Sequence, residues 1–376
     1  QETVEALKKV QIQGSKRRMP KPMVSFCNAI LRRVDRERDE LLAMTSASDN
    51  VSDFLMGEFR KSYGTHHADM MVEQLLNEEA HNSVDISLNH VGLKNEEERQ
   101  ALTNEIVAAF SDETVGIDSV LRLPNGSLRI LKGSYNGAIS KWPLYDSGSW
   151  WVQDVSSTLP ALALTSAMKS AHGDDNLENL HVVDMCAAPG GKTAQLLSSN
   201  FHVTAIEANK RRSRRLLENL ERLQLEEKCE VVVSPGQEWI PEESTRANGI
   251  AGILVDVPCS ATGTGNRRPD VLRKDQDLGN LLETQEILAK HCVDNILEPG
   301  GIMVYATCSL LPRESEDQIH KLIKRGGVET LPFTPGEIPG FDGAIDKNGW
   351  LRVLPGVLDG DLRQCDGFFV ARLIKL

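Results

Sequence analysis

The sequence has no run of apolar residues long enough to span a bilayer, and its opening stretch, QETVEALKKV, lacks the apolar core of a signal peptide. The expectation is a soluble, intracellular, cytoplasmic protein without membrane contact. No CxxC pair occurs among the seven irregularly spaced cysteines, which excludes a disulfide framework and a zinc site. Reduced thiols and no metal are expected. There is also no excess of positive charge. A formal net charge of -12 argues against a protein that coats nucleic acid indiscriminately, because such binding comes from Lys and Arg neutralising phosphates. The phosphate-loop spacing GxxxxGK[ST] is missing as well, and no internal repeat or low-complexity tract is evident.

What is present is locally basic. Arg and Lys gather in GSKRRMPK (14–21), LRRVDRER (31–38), NKRRSRR (209–215) and NRRPDVLRK (266–274). Each run alone reads as a solvated helix face; four together suggest a basic groove. Because the chain opens on Gln1 inside a helical pattern, a segment upstream is expected to have been removed.

Three regions follow from periodicity. Residues 1–80 show helical spacing, as in MVSFCNAILRRV and VSDFLMGEFRKSYG. Residues 83–145 combine short strands (VDISLN, SLRIL) with a helix (NEEERQALTNEIVAAF), a small α+β insert. Residues 150–376 alternate strands, at 181–187, 202–207, 229–233, 252–258 and 301–308, with helices. That alternation predicts an α/β fold with a doubly wound, mostly parallel sheet and ligands at its carboxyl edge. VETLPF and DGFFVARLIKL are expected to close the sheet as an antiparallel pair.

The first strand runs into DMCAAPGGKTAQL (184–196), a turn of small residues ahead of a helix whose free N–H groups face the loop. About twenty residues on, Glu207 ends the next strand, where a carboxylate can accept both hydroxyls of a ribose. A nucleoside cofactor is implied. A nicotinamide dinucleotide satisfies this spacing equally well. Two further apolar runs end on cysteine: VDVPCSATG at Cys259 and VYATCS at Cys308.

Together CAAPGGKT (186–193), DVPCSATG (256–263), YATCS (305–309) and DGFFVA (366–371) resemble the RsmB/Sun-type family of S-adenosylmethionine-dependent RNA cytosine-5 methyltransferases, over nearly the whole chain. VQDVSS (152–157) is similar to the family's lead-in to the catalytic domain. Gln285 sits in the helix before the Pro299-Gly300-Gly301 turn. FCNAILRR (26–33) and FLMGEFRKSYG (54–64) are similar to the end of the NusB-like helical module of the bacterial small-subunit rRNA members. In place of that family's Pro and Trp stand Val51 or Ser52 and Phe54.

The resemblance implies a Rossmann-like methyltransferase fold and an RNA substrate, rRNA ahead of tRNA, acted on by a monomer. It makes Cys308 the nucleophile towards carbon 6 of cytosine and Cys259 the residue that assists release. Carbon 5 is a poor nucleophile, and thiolate addition at carbon 6 activates it. Asp256 is placed to hydrogen-bond or protonate ring nitrogen 3, and Lys192 to lower a thiol pKa or orient the base. Cofactor contacts are expected from Cys186, Ala187, Ala188, Pro189, Gly190, Gly191, Lys192, Asp256, Glu207 for the ribose, and Arg212 as a brace. After the third strand the family's adenine-side Asp is replaced by SPGQEW (234–239), leaving Gln237 or Glu238 to substitute. The other cysteines, Cys27, Cys229, Cys292 and Cys365, read as small apolar fillers. Two rival functions use the same features: a non-catalytic RNA-binding assembly factor, which would bind no S-adenosylmethionine, and a DNA cytosine methyltransferase, whose nucleophile lies in a PC motif like that of Cys259.

Overall fold

The computed structural model describes residues 19–77, 83–111, 120–131, 137–243, 249–274 and 277–376. The chain divides into two compact units, one ending at Val51 and the other running from Ser52 to Leu376. Among the described residues no helix is long and apolar enough to cross a membrane.

In the first unit, α1 (Lys21–Arg36) and α2 (Arg38–Ala43) follow Pro20. The residues of α1 buried in the structure reduce to Val24, while Met23, Phe26, Ile30 and Val34 form an exposed stripe at helical spacing. Arg33 pairs with Glu37 one turn on, at 3.0 Å. Part of the first basic run, residues 14–18, lies outside the described residues, as do residues 1–13 and 78–80 of the expected helical region.

The expected boundary near residue 80 is not where the contacts divide. Helices α3 (Asp53–Tyr63) and α4 (Thr65–Leu75) belong to the second unit. Ser52 caps α3, its hydroxyl accepting from Leu55 N, and Gly64 ends it with φ 80°. Two long-range bonds explain the membership: Ser52 N donates to Leu272 O at 2.9 Å, and Tyr63 OH donates to Leu310 O at 2.6 Å, two residues past Cys308. A helical period reveals the helices but not the body against which they pack.

The insert is a four-stranded antiparallel sheet, ordered β2 (Val120–Arg122), β3 (Leu128–Leu131), β1 (Ser83–Leu88), β4 (Trp150–Val152), with α5 (Glu96–Phe110). Asn95 caps α5 by accepting from Glu98 N at 2.9 Å, and three glutamates fill the first turn. Ile86, Ile106, Phe110, Ile130, Trp142 and Trp150 form its core. The insert therefore extends past 145. WWV at 150–152, expected to open the catalytic domain, pairs with β1 instead.

The large sheet has the order β10 (Val328–Thr330), β12 (Phe368–Lys375), β9 (Ile302–Thr307), β8 (Gly252–Asp256), β5 (His181–Met185), β6 (His202–Ile206), β7 (Cys229–Val232), with β11 (Leu351–Val353) paired to β12. Strands β7, β6, β5, β8 and β9 run parallel, and β12 lies antiparallel between β9 and β10. Val182, Val203, Leu254 and Val304 face one core with α6 (Leu159–His172), α7 (Gly191–Ser198) and α8 (Lys210–Leu223). Val183, Ile253, Val255 and Met303 face the other, with α9 (Leu278–His291) and α10 (Glu316–Arg325). Burial on both faces is why these strands read as unbroken apolar runs. The order reverses at β5 and β8, which opens a crevice at their carboxyl ends.

Candidate active site

The loop after β5 leaves the extended region at once, since Cys186 has φ 64°, and the strand ends at Met185, two residues before the expected end. Ala187 N donates to Ile206 O at 3.0 Å, and Ala187 and Ala188 are buried while Pro189 is exposed. Gly190, with φ 107°, is the residue before α7, and a Cβ there would meet Leu216 Cδ1 at 2.5 Å. Only glycine both adopts this backbone and lets α8 lie so close. Gly191 then opens the helix, with its free N–H groups at the crevice.

Across the crevice Glu207 follows β6 and is almost fully buried. Its Oε1 accepts from Asn209 N at 2.8 Å, whereas Oε2 has no hydrogen-bond partner and only Arg212 Nη1 at 3.4 Å. Arg212 Nη2 donates to Ala188 O at 2.5 Å, so this arginine spans the loop and the acid as a brace. An orphaned buried carboxylate oxygen beside a small-residue loop at a helix N-terminus fits a nucleoside with a free ribose diol, and so fits S-adenosylmethionine. Gln237 and Glu238 are exposed beyond the carboxyl end of β7, following the buried Gly236.

Asp184 lies beneath the loop. Thr193 Oγ1 donates to its Oδ2 at 2.6 Å, and Oδ1 has no partner. Burial, reinforced by the negative charges of Asp256 and Glu207, lifts its carboxyl from 3.8 to about 7, against the Thr193 bond and Lys192. The folded chain thus keeps a proton that the unfolded chain gives up. Stability from this group is complete below about pH 4 and falls by about 1.4 kcal/mol per unit as pH rises towards 7. Asp184→Asn should flatten the thermal midpoint between pH 5 and pH 8. An unaltered slope in melting curves would show that Asp184 is ionised throughout.

The two thiols come from neighbouring parallel strands. Cys259 lies three residues past β8 and Cys308 one past β9, and their Sγ atoms are 3.5 Å apart, both half-buried. Beside them Lys192 Nζ donates to Asp256 Oδ2 at 2.8 Å and stands 5.4 Å from the centre of the Phe368 ring. Burial works against the Lys192 charge, but Asp256 outweighs it and raises the lysine pKa. The Cys308 thiol is held well above its ordinary pKa, first by its hydrogen bond with Cys259, then by burial and by Asp256, with Lys192 pulling the other way.

Gly263 fastens these loops. Its N–H donates to Cys308 O at 2.8 Å, its carbonyl accepts from Gly367 N at 2.8 Å, and a Cβ would meet the Gly367 carbonyl and, at 2.7 Å, Cys308 O. Gly263→Ala should therefore displace the Cys308 backbone and lower both thermal midpoint and thiol reactivity. The cost expected of an overpacked site is about 1–3 kcal/mol. A variant that melts and alkylates like the parent would contradict this fit.

Chain similarity adds a name to the geometry. A model of the 16S rRNA methyltransferase RsmB/F family matches residues 174–374, more than half of the chain. The chain belongs to this RsmB/F family. It is 39% identical over 241 residues to ribosomal RNA small subunit methyltransferase B of Enterobacter sp. (strain 638), covering 62% of this chain and 49% of that one. It is 35% identical over 246 residues to the protein of the same name from Pectobacterium atrosepticum, covering 63% and 50%. The chain thus spans about half the length of the curated relatives it matches. Among solved structures, a methyltransferase homolog protein from Pyrococcus horikoshii superimposes with a TM-score of 0.63 at 24% identity, covering 90% of this chain and 98% of that one. NSun6 from the same organism, solved with SFG, gives 0.64 at 18% identity, covering 87% and 99%. These two likenesses speak for the fold, a Rossmann-like methyltransferase sheet.

In this RsmB/F member the structure gathers Cys259, Cys308, Asp256 and Lys192 in one place and Cys186–Gly191, Glu207 and Arg212 beside it. In the last basic run Arg268, Arg273 and Lys274 are exposed, but Arg267 has an internal partner. Arg267 is tied to the fully buried Asp366, so it holds the terminal DGFF segment against the cysteine loop. Burial and the neighbouring Asp154 push the Asp366 carboxyl up to about 7, while Arg267 pulls it down. Arg211, Arg214 and Arg215 of the third run are exposed and, with Arg212, line a cleft against Ala188 and Pro189. Glu314 was overlooked in the sequence, because an acid inside PRESED reads as solvated surface, yet it is wholly buried.

Proposed function

We propose that the protein transfers a methyl group from S-adenosylmethionine to carbon 5 of a cytosine in small-subunit rRNA, through a covalent adduct on Cys308. The observation that carries this reading is the pair of thiols 3.5 Å apart beside the Lys192–Asp256 ion pair, at the carboxyl ends of β8 and β9. The relatives' name supports rRNA as the substrate class.

When bound, the cofactor supplies an electrophilic methyl group; the protein's residues supply the rest. Cys308 gives its proton to water and its sulfur adds to carbon 6, which pushes the ring electrons towards carbon 5. Asp256 hydrogen-bonds or protonates nitrogen 3 and so stabilises the charge that builds there. Lys192 keeps its charge next to both groups. Once carbon 5 has gained the methyl group, with S-adenosylhomocysteine left behind, its proton passes to water, nitrogen 3 returns any proton it took to Asp256, and the sulfur–carbon bond breaks. Cys259 assists that release, and Cys308 departs with the bonding electrons. One methyl group enters for each proton lost.

The test is methyl transfer from labelled S-adenosylmethionine to small-subunit rRNA, with bisulfite sequencing to locate the product. A single cytosine that gains protection is expected. Transfer to tRNA alone would move the substrate, transfer to duplex DNA alone would move the enzyme class, and binding of RNA without transfer would favour an assembly factor.

A further inference from the structure

The separation of the two sulfurs is held from behind by one carboxylate. Glu314 has no exposed surface. Its Oε1 accepts from Ser260 N and from Gln285 Nε2, each at 2.9 Å, and its Oε2 accepts from the hydroxyls of Ser260 and Ser309. Ser260 directly follows Cys259, and Ser309 directly follows Cys308. The two hydroxyls also meet each other at 2.9 Å. Gln285 extends the clamp to α9 and to the residue ahead of Cys259, donating to Pro258 O at 2.9 Å. Tyr305 OH, from the middle of β9, donates to Glu314's own carbonyl at 2.7 Å and so anchors the clamp itself.

We infer that Glu314 is a positioning residue, whose single buried carboxylate binds both cysteine loops and thereby fixes the sulfur pair at the spacing that attack and release require. This rests on the reaction proposed above, which gives the spacing its purpose. Thr262 Oγ1 also lies 3.4 Å from each serine hydroxyl and accepts from Leu310 N at 2.9 Å, but those serine contacts are long, whereas both hydroxyls donate closely to Glu314. A carboxylate suits the task because it accepts at both oxygens, and the donors come from three segments. With the acceptor gone, Ser260 N, Gln285 Nε2 and the two serine hydroxyls each lose one buried bond, Gln285 keeping its bond to Pro258 O, and the tie that draws the loops together is lost.

The experiment reads the sulfur spacing without RNA. Phenylarsine oxide condenses with two adjacent thiols, forming two arsenic–sulfur bonds and releasing the arsenic oxygen as one water with the two thiol protons. Capture by the full chain is measured by mass, with Cys259→Ser giving the background from other thiols. Glu314→Ala should bind the arsenical about tenfold more weakly or worse, while S-adenosylhomocysteine binding stays close to that of the parent. Glu314→Gln should recover most of the capture, because its amide fills the same volume and serine hydroxyls can accept as well as donate. Should Glu314→Ala fail to fold, the double variant Ser260→Ala and Ser309→Ala loosens the same joint while leaving the carboxylate. Its capture should fall likewise. Undiminished capture in a folded Glu314→Ala protein, or in the double serine variant, would overturn the proposal. Loss of capture alongside a parent that never methylates RNA would instead leave the clamp standing and refute the reaction.

Discussion

Cys308→Ser should yield neither methylated RNA nor a covalent complex, whereas Cys259→Ser should accumulate a protein–RNA adduct that survives denaturing electrophoresis. The asymmetry follows from order. If Cys308 attacks carbon 6, removing its sulfur stops the first covalent step and nothing builds up behind it. If Cys259 assists release, its loss leaves attack and methyl transfer in place and fills the intermediate before the blocked step. A spacing of 3.5 Å puts both sulfurs within reach of one pyrimidine ring, so geometry alone does not divide the labour. An adduct that appears with Cys308→Ser and vanishes with Cys259→Ser would reverse the two roles. If neither variant trapped RNA and both stayed active, the thiols would be packing residues.

How much of this could be read beforehand depended on the kind of signal. Strands β5, β6, β8 and β9 are buried on both faces, so their apolar runs declared them, and the proposed catalytic residues sit where those runs end. The loop proposed to hold the cofactor was legible for a similar reason, since DMCAAPGGKT concentrates small residues where the backbone must turn. Short pieces with few apolar positions escaped notice. β2, β4 and β11 have three residues each, too few for an alternation to register, and each exists through its partner strand. The same holds for side chains whose meaning lies in a distant partner. Arg267 belonged to a basic run that pointed to phosphate, but Asp366 claims it across ninety-nine positions. Glu314 looked like surface charge until the fold enclosed it. Spacing in the sequence exposes residues that share an element; it is silent about those that meet only when loops close over one another.

Lys192→Met should slow single-turnover methyl transfer by about 10²–10³-fold, the scale of losing one oriented charge from a water-poor site. The loss should be accompanied by a shift in thiol chemistry whose sign is fixed. Cys308 is held high by the Cys259 bond, by burial and by the negative charge of Asp256, and Lys192 is the neighbour that pulls it down. With methionine at 192, the Asp256 charge acts on the sulfur without Lys192 to offset it, and the thiolate becomes harder to form. The midpoint for alkylation of Cys308 should move to higher pH. Cys259→Ala should move it the opposite way, since it removes the largest raising cause. Lys192→Arg keeps the charge and should restore the midpoint, but its planar fork cannot occupy the ammonium's place between Asp256 and Phe368, so transfer should recover only in part. A midpoint that stays at the parental value in Lys192→Met, with transfer equally intact, would mean that the ion pair merely supports the loop and that Cys308 draws its reactivity from the bound RNA.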